Sequence, residues 1–237
     1  MVLSAESSER EARRLETAYA EQGRLWSEDR FRSWHPGNLL RTQECERIAF
    51  GLLYKHGYFP LSNKRILDAG CGPGKFLIGL IEFGAEPQSL CGVDLLPDKI
   101  ETARRLGPHI DFRVADAARL PFEDASFDLV FAWTLFSSIA EPDRRLRVAE
   151  ELRRVLRPAG AVLWCDLWAT SPSNPGNQGI RLPEVRRLFP DWQIDARRVA
   201  LLPPIARAVA PRSWRLASLL GQLPFLRTHW LALLRKS

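Results

Sequence analysis

Three glycines on alternate positions, Gly70, Gly72 and Gly74, follow an acidic residue, Asp68, and a second carboxylate, Asp94, stands twenty residues beyond Gly74. Glycine lets a backbone take positive φ and approach a bound molecule closely, because no Cβ stands in the way. Immediately upstream, residues 65–69 (Arg-Ile-Leu-Asp-Ala) have the short apolar run of a buried parallel strand. Downstream, residues 75–83 carry apolar side chains at helical spacing. Strand, glycine turn and helix together open an α/β site for a nucleotide-like ligand, with free N–H groups of the helix N-terminus directed at it. Two common signatures fail on spacing. A phosphate-binding loop needs glycine five residues before the Gly-Lys pair and Ser or Thr after it, and those places hold Ala69 and Phe76. The dinucleotide fingerprint needs its third glycine where Lys75 stands.

The stretch Asp68-Ala-Gly-Cys-Gly-Pro-Gly74 instead resembles the first motif of class I S-adenosylmethionine (SAM)-dependent methyltransferases. Residues 89–94 read as the second strand and end in Asp94, the position that accepts from ribose hydroxyls in doubly wound folds. Capping of the helix over 97–106 is a compatible role for the same carboxylate. Residues 110–115 form the third strand, followed by Asp116-Ala117, and residues 127–133 the fourth. Glu141-Pro142 opens an amphipathic helix with Leu146, Ala149, Leu152, Val155 and Leu156 expected to face inward, and Leu-Arg-Pro-Ala-Gly160 precedes a fifth strand over 161–167. The resemblance covers residues 65–167 motif by motif. It implies a Rossmann-like, doubly wound, seven-stranded mixed sheet whose last strand is antiparallel. It also implies SAM as cofactor and S-adenosylhomocysteine (SAH) as product. Carried over by position, Asp68 and the backbone of Gly70, Cys71, Gly72 and Gly74 would surround the methionine end. Asp94 with Leu95 would take the ribose and Asp116 with Ala117 the adenine, a plain loop cap being the other role for Asp116. Ala132, Trp133 and Thr134 would line the methyl side.

The remaining segments must position these groups and supply the acceptor site. Residues 1–60 are expected to form a helical lid, with a charged, solvated helix over 6–22 and a second helix over 38–58. Residues 61–201 would be the SAM-binding core, 202–226 an insertion roofing the substrate pocket, and 227–237 the closing strand, all within one domain. The insertion is apolar, punctuated by proline, and carries Arg207, Arg212 and Arg215. It connects a parallel sixth strand over 192–201 to an antiparallel seventh, so it leaves from the carboxyl ends where ligands bind. Surface packing or a homodimer contact is the competing role for its apolar face. Trp26 and Trp34 in the lid, Trp168 after the fifth strand, and Arg207 and Arg212 are the substrate-contact candidates. Methyl transfer from a sulfonium needs a base only when the acceptor must lose a proton. His35, Asp166 and His229 are the candidates for that base.

Composition narrows the class further. Apolar content of 46% and charged content of 26% in 237 residues suit one globular domain, and a net charge of +6 reflects an arginine excess. Cys45, Cys71, Cys91 and Cys165 lack metal or disulfide spacing, so reduced thiols, no metal and a cytoplasmic location are expected. No run approaches the roughly 18 apolar residues that read as a membrane span. Peripheral membrane contact is compatible with the insertion. A nucleic-acid-modifying enzyme would need a group to grip an extruded base after the fourth strand. Trp133-Thr-Leu-Phe136 stands there instead, and no nucleic-acid partner is expected. A catalytically silent partner subunit of the same fold is disfavoured by the intact cofactor motifs. The expected activity is methylation of a small, partly apolar acceptor in secondary or cell-envelope metabolism, on oxygen in preference to carbon or nitrogen.

Overall fold

The computed structural model describes residues 5–25, 33–170 and 177–236. Seven strands make one sheet: β1 (Ile66–Ala69), β2 (Leu90–Asp94), β3 (Asp111–Val114), β4 (Phe127–Trp133), β5 (Leu156–Leu167), β6 (Trp192–Leu201) and β7 (Arg227–Lys236). Their order is β3-β2-β1-β4-β5-β7-β6. Neighbours from β3 to β5 pair in parallel, and β7 pairs antiparallel with both β5 and β6. This is the Rossmann-like mixed sheet that the sequence predicts. The strand order reverses at β1 and β4, and ligands of such sheets bind at that point, outside the carboxyl ends of the strands.

Helices cover both faces, so the central strands are apolar on both sides. On one face α2 (Pro36–Lys55), α3 (Lys75–Leu80) and α4 (Pro97–Leu106) bury Leu53, Leu77 and Ile100 against Ile66, Phe131 and Leu163. On the other, α5 (Pro142–Val155) and α6 (Leu182–Leu188) bury Leu152 and Val185 against Leu67, Val130 and Trp164. The inward stripe of α5 differs from the expected one: Leu146 is exposed, Leu156 already belongs to β5, and Arg144, Arg145 and Val148 are buried. Arg145 reaches from α5 to Glu184 and Gln178, at 2.8 and 2.9 Å, and so ties the two helices together. All four cysteines are free and buried.

The insertion forms α7 (Pro203–Val209) and α8 (Trp214–Leu220). It packs Ala206, Ala210 and Ala217 onto Leu40 of α2 and Leu201 of β6. At Gly37 an added Cβ would lie 2.6 Å from the backbone of Ala206 and Arg207, so α2 and α7 touch backbone to backbone. The N-terminal helix, α1 (Ala5–Leu25), is not the free solvated helix expected. It lies against the carboxyl ends of the strands, where the Ser8 hydroxyl donates to Asp116 and the Arg14 guanidinium to the Ser138 carbonyl.

The glycine turn is specified at two different levels. Gly72 and Gly74 both have positive φ, but a Cβ on Gly74 would lie 2.6 Å from the Phe112 ring while one on Gly72 meets nothing within 4 Å. Gly72→Ala is therefore expected to lose about 1–2 kcal/mol, the left-handed strain alone. Gly74→Ala adds an overpacked contact and should lose about 3 kcal/mol or more. Urea unfolding of the two variants checks the difference, and equal midpoints would refute it.

Candidate active site

Beyond the carboxyl ends of β1, β2, β3 and β4 lies a cavity of about 400 Å³. Its floor is Asp68 and the turn from Gly70 to Pro73, with Asp94, Leu95 and Leu96 from the tip of β2. Ala115, Asp116 and Ala117 close one side, and Trp133, Thr134 and Leu135 the other. Phe76 stacks against Trp133 with ring centroids 4.9 Å apart, which makes that second side apolar. Thr134 takes a left-handed φ of 53° while its N–H donates to the Cys165 carbonyl at 2.7 Å, so the chain turns sharply at the end of β4.

Hydrogen bonds explain how the turn is held. The N–H groups of Gly70 and Cys71 both donate to the Val93 carbonyl, at 2.8 and 2.9 Å. Asp94 accepts from the Gly72 N–H through one oxygen at 2.8 Å and from the Leu96 N–H through the other at 2.9 Å. The β2 carboxylate thus fixes the glycine turn and the entry to α4 together. Burial pushes its pKa up and the two N–H donors pull it back. Asp68 has no such relief. It is 2% exposed, its Oδ1 has no hydrogen-bond partner, and burial together with the charge of Asp94 pushes its pKa up to about 7. Burying a carboxylate without a partner is costly, so this orphaned oxygen marks a place for a cationic ligand. A sulfonium nucleoside bearing an ammonium group fits that requirement, and the glycine turn leaves room for its close approach.

Asp116 is more heavily engaged. Its Oδ2 accepts from Arg144 at 2.6 Å and from Ser8, and its Oδ1 from the Ala118 N–H at 2.9 Å. It therefore caps its loop and links α1 and α5 while lining the cavity.

The comparisons with known proteins point the same way. Residues 66–160 match a family described as a methyltransferase domain. The chain is 33% identical over 201 residues to the 27-O-demethylrifamycin SV methyltransferase of Amycolatopsis mediterranei, covering 78% of this chain and 71% of that protein. The chain belongs to the SAM-dependent methyltransferase family. A sterol 4-C-methyltransferase of Caenorhabditis elegans is 30% identical over 122 residues, which span 49% of this chain and 35% of that enzyme. The chain thus aligns with about a third of that relative's length. The geranyl diphosphate C-methyltransferase of Streptomyces coelicolor, solved with SAH, superposes with a TM-score of 0.60 at 15% identity, covering 81% of each chain. That likeness shows the fold alone.

Asp68, Gly70, Cys71, Gly72, Asp94, Leu95, Asp116, Ala117, Trp133 and Thr134 line the methyltransferase cavity. Two residues expected there do not: Gly74 packs on Phe112, and Ala132 is wholly buried in the sheet. None of the three expected bases faces the cavity. His35 is the N-cap of α2, where its Nδ1 accepts from the Gly37 N–H at 3.1 Å. Asp166 is fully buried and accepts from the backbone N–H groups of Ser137 and Leu167. His229 lies between β5 and β6 within the sheet, and burial and the Arg41 charge hold its pKa down to about 3.

The substrate candidates also lie elsewhere. Trp168 donates to the Arg227 carbonyl and stacks under Arg198 at 4.2 Å. Trp34 is exposed beside α2, Arg212 bonds the Ala208 carbonyl, and Arg207 belongs to α7. Trp26 falls outside the described residues. The insertion contributes nothing to this cavity.

Among the lining residues that were not expected are Glu11, Leu15 and Tyr19 of α1. They are spaced i, i+4, i+8, so one helix face carried the signal. Arg144 gave no signal, because its partner is 28 residues away.

The Asp68 shift has a definite sign. The unfolded carboxyl ionises near pH 4, whereas the folded one keeps its proton until about pH 7. The folded state therefore binds more protons between these values, and the ligand-free protein should lose stability as pH rises through that window. Asp166, also raised to about 7, adds to the same slope. A cation beside Asp68 favours the ionised form, so SAH affinity should tighten between about pH 5.5 and 7.5 with proton release. Asp68→Asn should flatten that affinity profile and weaken binding roughly 10- to 100-fold. Calorimetry in buffers of different ionisation enthalpy checks it, and a pH-independent affinity in the native protein would refute it.

Proposed function

We propose that this methyltransferase acts on a small, partly apolar acceptor, with oxygen as the favoured methyl-accepting atom, in secondary or cell-envelope metabolism. The observation that carries the reading is the apolar wall of Phe76, Trp133 and Leu135, in a cavity that Leu15 and Tyr19 of α1 also line. A pocket of this kind recognises an apolar body and leaves orientation to a few polar groups. Bound SAM supplies a methyl group already activated on a sulfonium. On this reading Asp68 and the turn at Gly70 and Gly72 hold the methionine end, Asp94 with Leu95 the ribose, and Asp116 with Ala117 the adenine. The chain's contribution is then positioning, worth about 7–11 kcal/mol for well-oriented reactants, together with the exclusion of water by α1.

No histidine lines the cavity among the described residues. The reading therefore favours an acceptor hydroxyl that ionises readily by itself, such as a phenol or enol. Arg41 of α2, whose Nε is buried without a hydrogen-bond partner, lies outside this cavity and carries no part of the reading. The names of relatives also support this class, since a 27-O-demethylrifamycin SV methyltransferase and a tocopherol O-methyltransferase are among them. The sterol 4-C-methyltransferase supports carbon methylation as the second reading.

Assays with tritiated SAM over a panel of phenolic, enolic and glycosidic acceptors, with RNA alongside, test the proposal. Label is expected in base-stable ethers of phenolic or enolic acceptors. Asp94→Ala should raise the Km for SAM roughly 10- to 100-fold through loss of two charge-assisted hydrogen bonds. Label confined to RNA, or to carbon or nitrogen of the small acceptors, would overturn the favoured reading.

A further inference from the structure

The insertion between β6 and β7 is apolar on both sides. Inward it packs Ala206, Ala210 and Ala217 together with Ile205, Val209, Leu220 and Leu226, and it still leaves Trp214, Leu216, Leu219, Leu223 and Phe225 on the outside. Leu219 is 61% exposed and Phe225 68%. A helix of a globular protein normally turns its large apolar residues to the core. Here five of them crowd within twelve residues on the outside, flanked by the exposed Arg212 and Arg215. The charges of the insertion are of one sign. Residues 202–226 hold Arg207, Arg212 and Arg215 and not one Asp or Glu. No helix among the described residues is long and apolar enough to cross a membrane, so this face can lie on a bilayer but not span it.

We propose that the α8 face, from Arg212 to Phe225, docks on an anionic lipid surface. Trp214, Leu216, Leu219 and Phe225 enter the boundary between headgroups and acyl chains, and Arg212 and Arg215 meet the phosphates. Trp, Phe and Leu beside arginine are the composition of interfacial segments, whose binding sums apolar burial and attraction to anionic lipid. A second copy of the chain is a poorer occupant. A two-fold contact is self-complementary, so the arginines would face their own counterparts with no acidic residue of the segment to neutralise them. The inference stands on this face alone and does not depend on the acceptor reading.

Sedimentation of the full chain with vesicles tests it, using pure phosphatidylcholine against an equimolar mixture with phosphatidylglycerol. Binding is expected to the mixed vesicles, to weaken with added salt, and to be much weaker on phosphatidylcholine. Arg212→Ala with Arg215→Ala should lower the partition coefficient roughly 25-fold, about fivefold per basic residue. Leu219→Ser with Phe225→Ser should lower it about tenfold or more. SAH binding, measured in parallel, should stay unchanged in both variants, because neither pair touches the cofactor cavity. Absence of binding to either vesicle by protein that binds SAH would overturn the proposal, as would binding that neither variant weakens. A solution dimer that Leu219→Ser with Phe225→Ser converts to monomer would assign the face to a second copy instead.

Discussion

Two carboxylates pressed together in a buried corner set the terms for the whole molecule. Parallel pairing of β1 with β2 brings Asp68 and Asp94 to adjacent strand tips, and the Asp94 charge raises the cost of a charge on Asp68. Asp94 is relieved by two backbone N–H groups, one of them from the turn at Gly72. The Oδ1 of Asp68 has no hydrogen-bond partner among the described residues. The ligand-free fold therefore holds an electrostatic debt at one point, and a cation arriving there finds a carboxylate already stripped of water. Such preorganisation is more effective than a solvated charge, because no solvent has to be displaced when the ligand binds. It also explains why so much packing converges on the turn. Gly74 seats on Phe112, and Phe112 also contacts Gly92 of β2.

The parts legible in the sequence were those governed by local rules. β4 and β6 fall where the apolar pattern put them, Phe127–Trp133 and Trp192–Leu201, because strand pattern and turn residues agree there. The glycine turn and Asp94 were legible because their spacing is a local consequence of one strand-turn-helix unit. The acceptor candidates failed for a different reason. Side chains alternate between faces at every residue of a strand, so Cys165 and Asp166, adjacent in sequence, belong to opposite layers, and a strand-tip position alone does not say which layer a group enters. His35 was misread because a ring nitrogen accepting from the Gly37 N–H looks, in sequence, like a free base. The first helix was misread because its charges dominate its composition. Its docking depends on Asp116 and Ser138, more than a hundred residues away.

The engagement of Asp116 bears on how the cofactor end is organised. Arg144 is 3% exposed, and breaking a buried pair by withdrawing one partner leaves an uncompensated charge at a cost of about 3–5 kcal/mol. An adenine amino group is a weaker partner than a guanidinium, so it cannot displace Arg144 from Oδ2. On the proposed reading the adenine is left to share Asp116 through its remaining lone pairs and to use the backbone beside Ala117. The pair's larger effect is then on α1, whose Ser8 bonds the same carboxylate. On that reading the position of α1 and the cofactor pocket are coupled through one acidic residue.

That coupling divides the sheet into two functional halves. The β3-β2-β1-β4 half, closed by α1, builds the cavity that suits the cofactor. The β5-β7-β6 half carries α2 and the insertion, and among the described residues it contributes no side chain to that cavity. Its distinguishing groups are the buried Arg41 and the outward apolar face of α8, joined through α2 and α7 by the backbone contact at Gly37. A rigid joint of that kind would fix whatever α8 rests on relative to Arg41. If α8 rests on a bilayer, that contact gives the protein a reason to keep five large apolar residues outside its core.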